Sequence, residues 1–306
     1  MFQYFLYKFG LFIINRVPRR WAYGFARFVS DLQFRFSTKD RQAVINNLRQ
    51  ILQTREDVSD EAREVFRNFG RYLVDFFLMY RTVTDDFLRE KVVVIGRHNL
   101  ENALARGKGV VILTAHIGNW EMGAAVMGKS GYAVVAIALP HKERRVNELF
   151  NRQRKNYGVT VVPTNMAVRR CVEALRMNQC VAVVGDRDFS NTGEPLSFFG
   201  RPTLIPKGAA FFALRTGAAI VPSYVVPVED GRFVVYYEEP ILPSEVPSGD
   251  EKARMIGLMK RYVASIERKI REYPTQWLMF REFGIEYEDL RSDTSVQRVA
   301  GSRSTR

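Results

Sequence analysis

The chain has 306 residues, 46% of them hydrophobic and 12% aromatic, enough for a substantial core in one large α/β domain or two small ones. Lys and Arg number 46 against 33 Asp and Glu, giving a net charge of +13 and a pI near 9.9, which points to an anionic partner: nucleic acid, anionic lipid or an acidic carrier protein. The only cysteines, Cys171 and Cys180, form neither a CxxC nor a zinc spacing, which excludes a disulfide framework and fits a reducing compartment.

The first segment, residues 2–17, is apolar and aromatic but carries Lys8, Asn15 and Arg16 and ends in no small-residue cleavage site. It is short for a spanning helix, which needs about 20 apolar residues. Phe2, Tyr4, Phe5, Tyr7, Phe9, Phe12 and Trp21 are too many for one core stripe, so the expectation is a segment lying in a membrane interface. A buried N-terminal helix is the alternative.

After Pro18 the spacing of Trp21, Phe25, Phe28 and Leu32 predicts a helix. A second is expected over 38–53, with Val44, Ile45, Leu48, Ile51 and Leu52 inward. A third opens at Ser59 and buries Val65, Phe66, Phe69, Tyr72, Leu73, Phe76 and Phe77. This N-terminal helical layer, residues 1–80, reads either as packing onto a later sheet or as a greasy, basic, membrane-associating surface.

From Lys91 strands and helices alternate. Strands are expected at 92–95, 110–113, 133–139, 159–162 and 180–184, and helices over 99–105, to about Met127, 141–157 and 165–177. The helix 141–157 is loaded with base: Lys142, Arg144, Arg145, Arg152, Arg154 and Lys155. Such alternation predicts a mostly parallel sheet covered by helices on both faces, with ligands at the carboxyl ends of its strands. Residues 189–206 read as a long loop with an exposed Phe198-Phe199, because Ser, Asn, Gly and Pro punctuate it. A short helix follows over 207–215. Strands at 218–226 and 233–239 turn at Glu229-Asp230-Gly231, and a long helix covers 251–273. The α/β region is placed at 81–290. The Ser/Arg-rich 291–306 reads as a disordered tail.

The chain is organised around GVVILTAHIGNWE, residues 109–121. Its apolar run is a strand buried on both faces. It delivers His116, then Gly118, then Asn119 as a helix N-cap, with Glu121 in the first turn. Five positions would splay His116 and Glu121 on one helix. They can meet only if His116 sits on the strand-to-helix turn and Glu121 reaches back. An imidazole oriented by a carboxylate there is a general base. The alternative is an ordinary loop histidine beside a helix-start glutamate.

Other chemistries find less support. Residues 123–130 satisfy G-x-x-x-x-G-K-S, but they end a helix rather than open one, so amides and dipole do not converge on a phosphate. There is no G-x-S-x-G elbow and no H-E-x-x-H. With His98, His116 and His141 the only histidines, no metal site is expected. No nucleic-acid-binding module is recognisable. A His/Glu base, no evident protein nucleophile, a membrane-suited start and excess positive charge together fit acyl transfer to a lipid hydroxyl. Amides around Gly118-Asn119 are expected to serve the oxyanion.

The stretches HIGNWE, GDRD and PLSFFGRPTLIPKGAAFFALRTGAAIVP together resemble the lipid A biosynthesis acyltransferases of the lauroyl/myristoyl type. Phosphatidylinositol mannoside acyltransferases are close relatives within the same lysophospholipid acyltransferase-like superfamily. The resemblance implies a glycerol-3-phosphate acyltransferase-like fold and an enzyme on the cytoplasmic face of the inner membrane. It also implies an acyl carrier protein or acyl-CoA thioester as co-substrate and no resident cofactor. The family's H-x-x-x-x-D/E motif falls on His116 and Glu121 as the catalytic pair. Asn119, Arg152, Arg154, Asp186, Arg187, Asp188 and Lys207 are the expected substrate-binding positions. Asp186, Arg187 and Asp188 read equally as a structural salt-bridge cluster, and Arg152 and Arg154 as a solvated helix face. The acidic carrier protein suits the basic helix 141–157. The acceptor implied is a glycolipid of lipid A precursor type, with phosphatidylinositol mannoside or another polar lipid as the alternative. The third motif of glycerol-phosphate acyltransferases, E-G-T-R-S, is absent, which counts against a glycerophospholipid acceptor. A non-catalytic, basic membrane-binding protein is the reading outside enzymology.

Overall fold

The computed structural model of the protein describes Gly10, Phe12 and residues 16–138, 143–163, 166–189, 192–228, 231–246 and 249–284. The expected interfacial segment before Gly10, His141 and the expected disordered tail lie outside the described residues.

Three helices form the N-terminal layer: α1 (Arg19–Phe36), α2 (Thr38–Leu52) and α3 (Ser59–Thr82). On α2 and α3 the apolar stripes face inward, with Val44, Leu48, Ile51, Val65, Phe66, Phe76 and Phe77 buried. On α1 the reverse holds: Ala22, Ser30 and Phe34 are buried, while Trp21, Phe25, Phe28 and Leu32 point to solvent. α1 is tied to α3 by Asp75, a buried carboxylate that receives both Arg19, at 2.7 Å, and the Tyr23 hydroxyl. Among the described residues, no helix is long and apolar enough to cross a membrane.

After α4 (Asp85–Lys91) come β1 (Val92–Ile95), α5 (Arg97–Ala105), β2 (Val110–Thr114), α6 (Trp120–Lys129), β3 (Val134–Ala138), α7 (Arg144–Lys155), β4 (Val159–Pro163), α8 (Ala167–Arg176) and β5 (Cys180–Val184). The hairpin β6 (Glu194–Phe198) and β7 (Arg201–Ile205) follows, then α9 (Gly208–Thr216), β8 (Ala219–Pro227), β9 (Phe233–Tyr237) and α10 (Glu251–Glu272). Seven strands make one sheet in the order β1-β9-β8-β2-β5-β3-β4. Every neighbouring pair is parallel except β8–β9.

The central strand β2 shows why both faces must be covered. Side chains alternate along a strand. Val111 and Leu113 join one core with Leu175, Phe212, Leu258 and Tyr262 from α8, α9 and α10. Val110 and Ile112 join the other with Phe76, Met122 and Phe150 from α3, α6 and α7. All four β2 residues are buried.

The segment 189–206 differs from the sequence expectation. Most of it, from Glu194 to Ile205, is the β6–β7 hairpin, a separate two-stranded sheet. Both strands are edges, which is where Pro195 and Pro202 are tolerated. Phe199 (φ 48°) and Gly200 (φ 78°) form its two-residue turn, the positive-φ pair that matches strand twist. Phe198 and Phe199 are buried, not exposed, because the hairpin tip packs on Trp277 and Phe283.

The G-x-x-x-x-G-K-S stretch lies mostly in the second half of α6, as its order required. Gly128 serves packing there: a Cβ would fall 2.0 Å from the Tyr157 carbonyl oxygen.

Candidate active site

β2 and β5 run parallel with Thr114 opposite Val184. The Gly185 amide donates to the Thr114 carbonyl at 2.8 Å, carrying the ladder one step past the strands. His116 and Asp186 each stand two residues beyond that last pair. They therefore emerge side by side at the carboxyl edge of the sheet, where open α/β sheets bind ligands.

His116 Nδ1 lies 2.9 Å from Asp186 Oδ1, and the His116 backbone N–H donates to Asp186 Oδ2 at 3.1 Å. The Trp277 indole N–H donates to the same Oδ2 at 2.8 Å. Burial alone would raise the Asp186 carboxyl. The adjacent imidazole and these three hydrogen bonds outweigh it and hold the group below the usual carboxylate range. A carboxylate only accepts, so Nδ1 carries a proton, and in the neutral ring Nε2 presents its lone pair. Among the described residues nothing is hydrogen-bonded to Nε2.

Glu121 is not the carboxylate that holds His116. It accepts from Arg154 through both oxygens, with Nη2 at 2.5 Å from Oε1 and Nε at 3.0 Å from Oε2. The pair, with Glu121 buried and Arg154 largely covered, ties α6 to α7. The five-residue spacing lets the Glu121 carboxylate turn away from the strand-end histidine, and a guanidinium fork from the next helix captures it. Arg152, two positions from Arg154, is exposed. The two expected binding arginines thus lie on different faces of α7.

Asn119 is the N-cap, its Oδ1 accepting from the Met122 amide at 2.9 Å, while its buried Nδ2 has no partner among the described residues. The amides of Gly118 and Asn119 are already used. They donate to the carbonyls of Gln276 at 2.9 Å and Val225 at 2.8 Å. The expectation that these two serve an oxyanion is therefore corrected: they knit the turn to β8 and to the segment after α10. Gly118 has φ +60°, and a Cβ would lie 2.0 Å from the Val225 oxygen, so only glycine fits the turn.

The GDRD segment divides its labour. Asp186 faces His116. Asp188 turns inward and accepts from the Gly193 amide at 2.6 Å. Arg187 lies over the Phe189 ring, 4.9 Å to its centroid. Lys207 immediately precedes α9 and is half-buried. Aromatic rings wall the imidazole: Trp120 edge-on at 4.9 Å and Phe189 at 6.3 Å between centroids. Tyr72 of α3 stacks on Trp120 at 4.5 Å, connecting the helical layer to the site.

Trp277 is the residue that sequence reasoning missed. Besides holding Asp186, its segment pairs with the His116 turn: Ile117 bridges Trp277, and the Leu278 amide donates to the His116 carbonyl at 2.8 Å. A tryptophan shortly after the helix-ending Pro274 carries no periodic signal that would have singled it out.

Among the described residues, no hydroxyl or thiol is hydrogen-bonded to the imidazole. Burial pushes the Cys171 thiol up to about 11 and the Cys180 thiol to about 12, so neither supplies a thiolate near neutrality. No described group of His, Cys, Asp and Glu could hold a metal ion. The arrangement is a buried-carboxylate–imidazole base, suited to activating a hydroxyl brought by a substrate.

Comparison with known proteins agrees with that chemistry. The family described as "Bacterial lipid A biosynthesis acyltransferase" matches residues 1–283. A phosphatidylinositol mannoside acyltransferase of Mycobacterium tuberculosis is 30% identical over 220 residues, 70% of this chain and 67% of that protein. One of Mycolicibacterium smegmatis is 28% identical over 230 residues, 74% of this chain and 73% of that protein. The chain is an acyltransferase and belongs to the bacterial lipid A biosynthesis acyltransferase family.

Proposed function

We propose that this enzyme moves a fatty acyl chain from an acyl carrier protein or acyl-CoA thioester directly to a hydroxyl of a glycolipid of lipid A precursor type. The observation that carries the proposal is His116, with Nδ1 fixed by buried Asp186 and Nε2 left for substrate. Nε2 takes the acceptor's hydroxyl proton as the oxygen attacks the thioester carbonyl. The tetrahedral oxyanion collapses, the carbon–sulfur bond breaks, and the imidazolium returns the proton to the leaving thiolate. Asp186 stabilises the transient imidazolium. Asn119 Nδ2, buried without a partner on the same turn, is a spare donor for the reacting group. Glu121 acts by fixing Arg154 and the basic helix α7.

Exposed Arg152 and Lys155 on α7 suit an acidic carrier protein, and Arg187 and Lys207 suit phosphates of donor or acceptor. The outward aromatic stripe of α1 favours a protein seated on an anionic membrane through its helical layer, in a glycerol-3-phosphate acyltransferase-like arrangement. The free cysteines fit the cytoplasmic face of the inner membrane, on the reducing side.

A second acceptor is favoured by one observation: the similar mycobacterial proteins are phosphatidylinositol mannoside acyltransferases. Incubation of the protein with labelled acyl-CoA or acyl carrier protein, and with a lipid A precursor or a phosphatidylinositol mannoside, separates the two. Label in the first acceptor supports the main reading. Label in the second alone replaces it. Label in neither, with both donors, removes the glycolipid acceptor.

A further inference from the structure

A cavity of about 420 Å³ opens where the end of α1 meets α2 and α3, in the layer that carries no catalytic group. Arg35, Arg41 and Arg63 line it, with Phe34 as an apolar wall and Phe28 and Leu32 at its rim. Its one acid, Asp31, hydrogen-bonds none of these three arginines, though its charge also acts on Arg63. Both Asp31 oxygens are taken by Arg67, at 2.7 and 2.9 Å.

Two of the three guanidinium groups are held in place, and that of Arg35 is exposed at the end of α1. Arg41 and Arg63 sit over the Phe34 ring, 5.7 and 5.3 Å from its centroid. Arg41 Nη1 also donates to the Phe34 and Arg35 carbonyls at 3.3 and 3.2 Å, covering the negative end of α1. The ion pair of Arg63, at 3.5 Å, is with Asp60, which is itself in solvent.

From the rim runs the apolar stripe of α1: Trp21 is 66% exposed, Phe25 56%, Phe28 63%, Leu32 45% and Phe36 72%. Positions 21, 25, 28, 32 and 36 share one helix face, so the stripe is continuous. A phosphate-matching arginine cluster opening onto a greasy stripe is complementary to a molecule that is anionic at one end and hydrocarbon at the other.

We propose that this cavity binds the phosphate head group of an anionic phospholipid that is not the acyl acceptor. Arg35, Arg41 and Arg63 hold the phosphate, and the acyl chains lie along Phe25, Phe28 and Leu32. The inference rests on the membrane seat proposed above and adds a discrete site to it. A free phosphate ion would use the arginines but not the stripe. Arg63 belongs to α3, the helix whose Tyr72 backs Trp120 beside His116, so the bound lipid fixes the height of the active site above the bilayer.

The test is flotation of the full chain with phosphatidylcholine vesicles and with the same vesicles containing phosphatidylglycerol. An arginine near an anionic surface contributes about five-fold to partition, so removing any exposed pair costs about 25-fold. The control pair is Arg20→Ala with Arg27→Ala, two exposed arginines of α1 outside the cavity lining. Arg35→Ala with Arg63→Ala is expected to cost at least about ten-fold more than the control, since charge-assisted hydrogen bonds are lost as well. Arg35→Lys with Arg63→Lys keeps the charge and is expected to lose that excess while staying folded.

Equal losses in the cavity and control pairs overturn the site and leave diffuse electrostatics. Protection against thermal unfolding by inorganic phosphate, without any response to phosphatidylglycerol, assigns the cavity to a free anion and overturns the lipid. Indifference of the unaltered protein to both vesicle types removes the membrane seat itself. Acyl transfer by the unaltered protein in detergent is measured separately, so the reaction and the lipid site can fail independently.

Discussion

His116 and Asp186 lie 70 positions apart in the chain yet meet at 2.9 Å, because the strands that deliver them are in register. Thr114 faces Val184, and two further residues on each strand bring an imidazole against a carboxylate. The sheet therefore builds the imidazole–carboxylate pair. A shift of one residue between β2 and β5 would send one side chain to the opposite face. Asp186 is also fully engaged, by the His116 ring, the His116 amide and the Trp277 indole, so its position leaves no alternative partner for Nδ1.

The first prediction concerns that pair. His116→Ala is expected to lower acyl transfer by about 10²–10⁴-fold, the usual worth of general-base help, with circular dichroism and melting temperature close to those of the unaltered protein. Asp186→Asn keeps the shape, but its amide oxygen must still accept from the His116 amide and the Trp277 indole, so its NH2 faces Nδ1 and moves the ring proton to Nε2; it is expected to lose a comparable factor. Transfer retained in both variants would remove this imidazole from the reaction.

Trp277 gives a prediction with a pH signature. Trp277→Phe keeps an aromatic ring against Phe198 and Phe283 but deletes the indole N–H. That N–H is one of the influences holding the Asp186 carboxyl down, so the folded group moves back toward its ordinary value. A depressed carboxyl contributes stability above its unfolded pKa and loses it as pH falls through the folded one. In the variant that loss begins at higher pH. The acid limb of transfer is expected to shift the same way, while the melting temperature falls most near neutrality and approaches that of the unaltered protein in acid, where the carboxyl is protonated in both. Near neutrality the cost is about 1–3 kcal/mol, read from denaturant unfolding. A lower activity with an unshifted acid limb would make Trp277 a packing residue only.

Much of this was legible in the sequence, for reasons that also explain what was not. The strand runs 92–95, 110–113 and 180–184 are short apolar blocks, and the structure forms strands there. The position of His116 at the carboxyl end of its strand followed from the strand–helix pattern alone. Which carboxylate touches the imidazole did not, because that depends on β2 and β5 being neighbours, and strand order is a property of the whole sheet. The local partner Glu121 was the only one that spacing could offer. Phe198 and Phe199 failed for a related reason: the chain that buries them, Trp277 to Phe283, is about 80 residues away. On α1 the periodicity was visible, but periodicity shows a stripe without showing what it faces.

Glu121 and Arg154 separate a structural role from a catalytic one. Glu121 is buried and Arg154 nearly so, and removing one leaves the other charge uncompensated. Glu121→Gln is therefore expected to cost about 3–5 kcal/mol of stability, seen as a lowered denaturant midpoint. Replacing the pair together, Glu121→Leu with Arg154→Met, is expected to recover most of it, since an apolar pair needs no countercharge. If Glu121 instead serves the imidazole, Glu121→Gln loses transfer at unchanged stability.

Lys129 and Gly128 test the nucleotide-like stretch from the other direction. Lys129 pairs with Asp85 at 3.2 Å on the surface, and exposed pairs contribute about 0–1 kcal/mol. Lys129→Ala is expected to leave both melting temperature and acyl transfer nearly unchanged. Gly128→Ala, one residue away, is expected to unfold more readily, because its new methyl meets the Tyr157 carbonyl oxygen at 2.0 Å and backbone cannot give way cheaply. The glycine is thus needed for the approach of the chain before β4 to α6, and the lysine for little. The opposite pattern, with Lys129→Ala folded but devoid of transfer, would mean that this amine meets a phosphate after all.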